Sequence, residues 1–222
     1  MNSAPVVDAS RSCRDIGSRL DAVARQLEQV RGTDRSAASD EERLGWVEQV
    51  RAVQRRVDAL AAILLCEADE AGSAMRARHS HLQDWLARSG QETSRQAAAV
   101  LWAARDLERR PQVRDAAASG QISLGQAKAI NIALDGLPAR LEPGQRKRAE
   151  DLMLTAAEHV PAEALRSMSD RVLAQVAPEE GETPEARAER LEQRDVRARA
   201  RRYLRFGAEC DGSVDLSGNL PV

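Results

Sequence analysis

The sequence predicts an all-α protein: a multi-helix bundle with a long N-terminal helical hairpin, a helix-turn-helix-like centre and a short C-terminal β-hairpin. Aromatic residues are only 2% of the 222 residues, three Trp, one Tyr and one Phe. With β-branched residues also scarce, two packed sheets have too little to build from. Ala, Leu, Arg, Glu and Gln dominate instead, and these lose least on entering a helix. Apolar residues also recur at steps of three and four, the period of a helix with one buried face.

The elements follow in order. Residues 1–9 read as a loose end. Over 10–31, Ile16, Leu20, Val23, Leu27 and Val30 share one face, and Gly32-Thr33 with the polar run to Ser39 ends the helix. Ser39 or Asp40 caps the next, with Glu41 and Glu42 set against the positive end of its dipole. Leu44, Val47, Val50, Val57, Leu60 and Leu64 carry its stripe to about Ala71. These two helices are expected to form an antiparallel hairpin over 10–75.

Gly72 and the polar run to Ser80 are expected to break the helical pattern. A compact unit over 76–176 follows, with helices near 80–89, 94–108, 112–119, 123–135, 145–159 and 162–176. Gly90, Pro111, Gly120, Pro138, Pro143 and Pro161 separate them. Residues 177–184 have the composition of an exposed linker. In the remaining part, 185–222, an Arg- and Glu-rich helix over 185–200 precedes two short strands, near 203–206 and 214–216, around the turn signal Asp211-Gly212. That makes seven to nine helices. Trp46, Trp85 and Trp102 lie on apolar faces and are expected to anchor the core.

Composition also limits function. The net charge is −2, which argues against tight nonspecific binding to nucleic acid. The charge is unevenly spread: 76–110 carries 7 Arg against 4 acids, net +3, and 184–205 carries 8 Arg against 4, net +4. The interleaved acids of the latter suggest surface ion pairs rather than a phosphate track. Cys13, Cys66 and Cys210 are odd in number and far apart, so no disulfide framework or zinc knuckle is expected. No basic segment followed by an apolar run opens the chain, and its longest apolar stretch, 59–66, is too short for a bilayer. A cytoplasmic protein with no membrane association and no cofactor is expected.

The centre offers the best candidate site. The segment 82–90 followed by Thr93, Ser94, Arg95, Gln96 and Ala97 has the form of a helix-turn-helix. Gly90 supplies a left-handed helix stop, and Thr93 or Ser94 caps the second helix. Ala97, Val100, Leu101 and Ala104 would face inward. Arg95, Gln96 and Ala99 would lie at the exposed start that enters the major groove in such motifs. Arg and Gln there could read base edges, while Arg105, Arg109 and Arg110 meet phosphates. DNA is the partner this implies. The competing expectation is a protein-interaction module, with a homodimer formed through the N-terminal helices. The discriminating feature is exposure: if Arg95 and Gln96 are buried, the DNA reading fails.

Gly120-Gln121-Ile122-Ser123, with Gln126, Ala127 and Ile130, begins another helix. The stretch 86–130 resembles the central region of ParB-type partition proteins, which would make Arg114 and Lys128 accessory backbone contacts. A wider set of motifs runs in order along the chain: Trp85-Leu86-Ala87, Gly90, the run 97–107, Pro111, Ala117, Gly120-Gln121-Ile122-Ser123, Gln126-Ala127, Leu137-Pro138 and 211–216. From about residue 15 onward it resembles domain-of-unknown-function family 222, the actinobacterial 13E12-repeat proteins. Members commonly carry a C-terminal HNH endonuclease domain. That resemblance implies an association with an HNH endonuclease whose domain lies outside this chain, so that a truncated product or a fragment is expected; joined to the capping and charge of the centre, it makes a non-catalytic DNA-binding or targeting module the leading expectation. An HNH site needs a general-base His and further metal ligands. His79, His81 and His159 do not sit in that pattern. No phosphate-binding Gly-rich loop or nucleophile motif is present, so no catalytic residue and no metal site is assigned.

Overall fold

The computed structural model describes residues 9–178, 184–200, 202–210 and 213–219. Its described elements are α1 (Ala9–Gly32), α2 (Asp40–Glu70), α3 (Ser73–Arg78), α4 (Leu82–Ser89), α5 (Ser94–Glu108), α6 (Pro111–Ala118), α7 (Leu124–Asp135), α8 (Pro143–Ala157), α9 (Ala162–Arg166), α10 (Ser169–Val176), α11 (Pro184–Ala200), β1 (Tyr203–Cys210) and β2 (Ser213–Asn219). The protein is all-α, with one two-stranded antiparallel hairpin among the described residues. Two elements exceed the seven to nine helices expected. The polar run after Gly72 is helical, as α3. The expected helix at 162–176 is two helices. Ser167 and Met168 sit near ψ 0°, and the Ser167 Oγ donates to the Ala164 carbonyl at 2.9 Å. Such local bonding competes with the helical ladder. Helix α8 starts at Pro143 rather than 145, because proline is pre-shaped for a first helical position.

The chain divides into two compact units, residues 1–49 and 50–222. In the first, α1 and the start of α2 are joined through 33–39. Ser39 is the cap: its Oγ accepts from the Glu42 amide at 3.2 Å, and the Glu42 carboxylate accepts from the Ser39 amide at 2.8 Å. Arg43 donates to the carbonyls of Arg35 and Ser36 and fastens the connection. The apolar stripe of α1 is exposed.

In the second unit, α7 is the central element, packed against α5, α6, α8 and α9. Half of its residues are buried, including Ala127, Ile130, Asn131 and Leu134. Leu107, Val113, Ile122, Met153, Leu165 and Leu173 fill the space around it, and Ala59, Ala62 and Leu65 of α2 belong to the same core. The core is thus aliphatic. None of the three tryptophans anchors it: Trp102 is 69% exposed, and Trp46 and Trp85 are over one-third exposed. On α5 the inward face is Ala97, Leu101, Ala104 and Leu107, so Val100, expected inward, is exposed. One helical step of about 100° separates Leu101 from Trp102, which turns the indole outward.

Gly120 closes the turn before α7. Its φ is +81°, and a Cβ there would lie 2.8 Å from Arg56 Cγ. Arg56 and Arg55 of α2 donate to the carbonyls of Ser119 and Gly120 at 2.9 and 3.0 Å. Only glycine accepts both the backbone shape and the arginine lying against it. In the terminal hairpin, Phe206 faces Leu216 and Cys210 faces Ser213, with an irregularity between Phe206 and Glu209. The expected turn Asp211-Gly212 lies outside the described residues, as do 1–8 of the loose end and 179–183 of the linker.

Candidate nucleic-acid interface

Helices α4 and α5 pack on one another through a short connection over 90–93. Gly90 does not supply the left-handed stop. It keeps helical angles, φ −89° and ψ −3°, and the left-handed residue is Gln91 at φ 53°. Left-handed backbone at Gln91 lets the Glu92 amide donate back to the Ala87 carbonyl at 2.9 Å, a bond that satisfies one carbonyl at the helix end.

Thr93 then caps α5. Its Oγ1 accepts from the Gln96 amide at 3.2 Å, and the Gln96 Oε1 accepts from the Thr93 amide at 2.9 Å and its hydroxyl at 2.7 Å. This reciprocal box occupies the Gln96 side chain on the protein's own backbone. The Ser94 and Arg95 amides are the first two of the helix and have no intrahelical acceptor. Thr93, Ser94, Arg95 and Gln96 are all exposed. The Arg95 side chain makes no hydrogen bond or ion pair among the described residues. The Ser94 carbonyl accepts from Gln83 Nε2 at 3.2 Å and ties the turn to α4.

The remaining arginines have internal partners. Arg105 lies 2.6 Å from Asp69, and its guanidinium stands 6.0 Å from the Trp102 ring centre. Arg109 and Arg110 converge on Asp135 at 2.8 Å each, and Arg109 also reaches Asp106 at 3.0 Å. Fully buried Asn131 completes this network. Its amide nitrogen donates to the Asp106 carbonyl at 2.7 Å, and its oxygen accepts from Arg110 at 2.9 Å. Partial burial pushes the Asp135 carboxyl up, but the hydrogen bonds from Arg109 and Arg110 outweigh it and hold it below the usual carboxylate range. Arg109 is correspondingly raised, first by Asp135 and then by Asp106. Arg114 bonds Glu108 at 3.1 Å and Asp115 at 3.0 Å. Lys128 is exposed on α7.

Three further residues are exposed near these helices without having been singled out by the sequence as contacts. Arg76 and Arg78 lie in the last turn of α3, which packs against α4. Trp102 presents its indole on the outer side of α5. The +3 charge of 76–110 includes both arginines, but a segment expected as a helix break gives no reason to place them.

A buried thiol and one cavity also lie in the larger unit. Cys66 is buried. Burial pushes its thiol up, and the carboxylates of Glu70, Glu108 and Asp69 add to that, so it is a poor thiolate. The cavity, of about 450 Å³, is lined by Arg51, Arg55, Asp58, Ser123, Gln126 and Glu158 among others. Its charges are mixed, and Gln126 is fully engaged, donating to the carbonyls of Ala157 and Val160 at 2.7 and 3.1 Å. Among the described residues, no group of three His, Cys, Asp or Glu gathers as a metal site, and no helix is long and apolar enough to cross a membrane.

No curated protein and no solved structure matches the chain. The profile of one family, described as a domain of unknown function (DUF222), matches residues 44–222. That match takes in most of α2, the α4–α5 pair, the central α7 and the terminal hairpin, and by it the chain belongs to the DUF222 family.

Proposed function

We propose that this chain is a non-catalytic DNA-binding or targeting module working in the cytoplasm, of the kind that would direct the HNH endonuclease domain of longer family members. The observation that carries the reading is Arg95. It is an exposed guanidinium, unpaired among the described residues, on the open first turn of α5, beside two amides without helical acceptors. The positive end of the helix dipole adds to that turn's preference for an anion. Arg95 reaches a base edge or a phosphate while the Ser94 and Arg95 amides hold a backbone phosphate. Arg76, Arg78 and Lys128 are further exposed cations that follow the backbone. Arg105, Arg109, Arg110 and Arg114 shape the scaffold, since a phosphate contact there would first have to break an internal pair.

Fluorescence anisotropy with a labelled random duplex tests this at low salt. The wild-type protein should bind, and Arg95→Ala should weaken binding about tenfold, the loss of one charged contact. Absence of binding at low salt, or an Arg95→Ala protein that binds as the wild type does, sinks the proposal.

A further inference from the structure

We propose that a second copy of this chain covers the apolar faces of α1 and of the first two-thirds of α2, so that the protein is a homodimer joined by coiled-coil seams. This goes beyond the DNA reading and does not depend on it. On α1, Ile16, Leu20, Val23, Leu27 and Val30 are 45–58% exposed. Their steps are four, three, four and three. On α2, Trp46, Val50, Val53, Val57 and Leu60 repeat the same steps and are 37–55% exposed. A helix that packs on a globular core carries a broader stripe, whereas an alternation of four and three is the seam of a coiled coil; on α2, exposed Val47 widens that seam at its flank and exposed Leu44 lies outside it.

The flanks of both seams fit a copy of the same chain. Beside the α1 seam stand Gly17, Ala24, Gln26, Arg19 and Arg31. Arg19 is already bonded to Asp15 at 2.7 Å and Arg31 to Glu28 at 2.9 Å. Beside the α2 seam, Arg56 is the one charge, and it donates to the Ser119 carbonyl at 2.9 Å. Two copies therefore meet without a row of uncompensated like charges, which would otherwise oppose pairing. The area is sufficient too. At roughly 70 Å² of exposed apolar surface per side chain, these residues in two copies would bury about 1,400 Å², within the range of stable specific interfaces.

Sedimentation equilibrium on the full chain, from about 1 to 100 μM, tests the proposal. The wild type should sediment with the mass of two chains. Leu20→Glu with Leu27→Glu, and separately Val53→Glu with Val57→Glu, should each raise the dimer dissociation constant at least a hundredfold with helicity unchanged by far-ultraviolet circular dichroism. Each substituted side chain is exposed within one chain, so a loss of mass with helicity intact reads the interface alone. A wild type that keeps the mass of a single chain at the highest concentration overturns the proposal, even if a variant loses helicity. So does a dimer that either pair of substitutions leaves intact.

Discussion

Replacing Asp135 by Asn should cost about 2 kcal/mol of stability, between the worth of an exposed ion pair and that of a buried one. Asp135 accepts from Arg109 Nη2 and Arg110 Nη2 at 2.8 Å and from Arg109 Nη1 at 2.9 Å. Its side chain is 33% exposed and that of Arg110 is 21% exposed. Exposed ion pairs contribute about 0–1 kcal/mol, and breaking a fully buried pair costs about 3–5 kcal/mol. The site lies between these limits, and Asn keeps the shape and one acceptor, which places the loss in the middle of the range. For a chain of this size that is a fall in Tm of about 4–8 °C.

The pH dependence adds a second, independent reading. The folded pKa of Asp135 is depressed, so its contribution is present above the unfolded value of about 3.9 and is lost as pH falls through the folded one. Urea unfolding at pH 7 and near pH 3 measures both. The gap between wild type and Asp135→Asn should be full at pH 7 and should narrow at the lower pH. A difference at pH 7 below about 0.5 kcal/mol, no more than an exposed pair supplies, refutes the assignment of these arginines to the scaffold. So does a difference that persists unchanged near pH 3.

Other outcomes follow from the same structure. Gly120→Ala should destabilise by about 2 kcal/mol or more, combining a positive φ with a 2.8 Å approach to Arg56, and should be seen as a lower urea midpoint. Gln91→Gly should stabilise by about 0.5–1 kcal/mol in the same assay, by relieving the left-handed backbone. Glu150 has a buried carboxylate oxygen without a hydrogen-bond partner, and burial raises its pKa, with Asp151 adding and Arg110 opposing. A raised acid stabilises the fold below the unfolded value of about 4.3 and loses that contribution as pH rises through the folded one. Glu150→Gln should therefore raise Tm at pH 7 and give no gain near pH 4.

Much of the fold is legible in the sequence because its signals are local. Ser39 with Glu42, Pro111, and Ser123 with Gln126 mark helix starts within three or four residues, and the observed starts of α2, α6 and α7 fall at or beside them. The partners of the arginines are not legible, because they come from elsewhere in the chain. Asp135 is 26 residues from Arg109, and Asn131 is 25 from Asp106. Read alone, 105–114 is a free basic run; folded, it is largely neutralised. Thr93 and Gln96 carry a visible capping-box spacing, and the box rather than a base edge is where the structure uses them. Trp102 departs from its expected place by one helical step, since both neighbouring faces of α5 are apolar in sequence.

The slope of log affinity against log salt for duplex DNA shows whether free Arg95, rather than the paired arginines, meets the nucleic acid. Each phosphate neutralised contributes about −0.9 to that slope. Arg95→Ala should make the slope shallower by about one such contact, while Arg109→Ala should leave it unchanged in protein that remains folded. A slope unchanged in Arg95→Ala and made shallower in folded Arg109→Ala would contradict that role for Arg95.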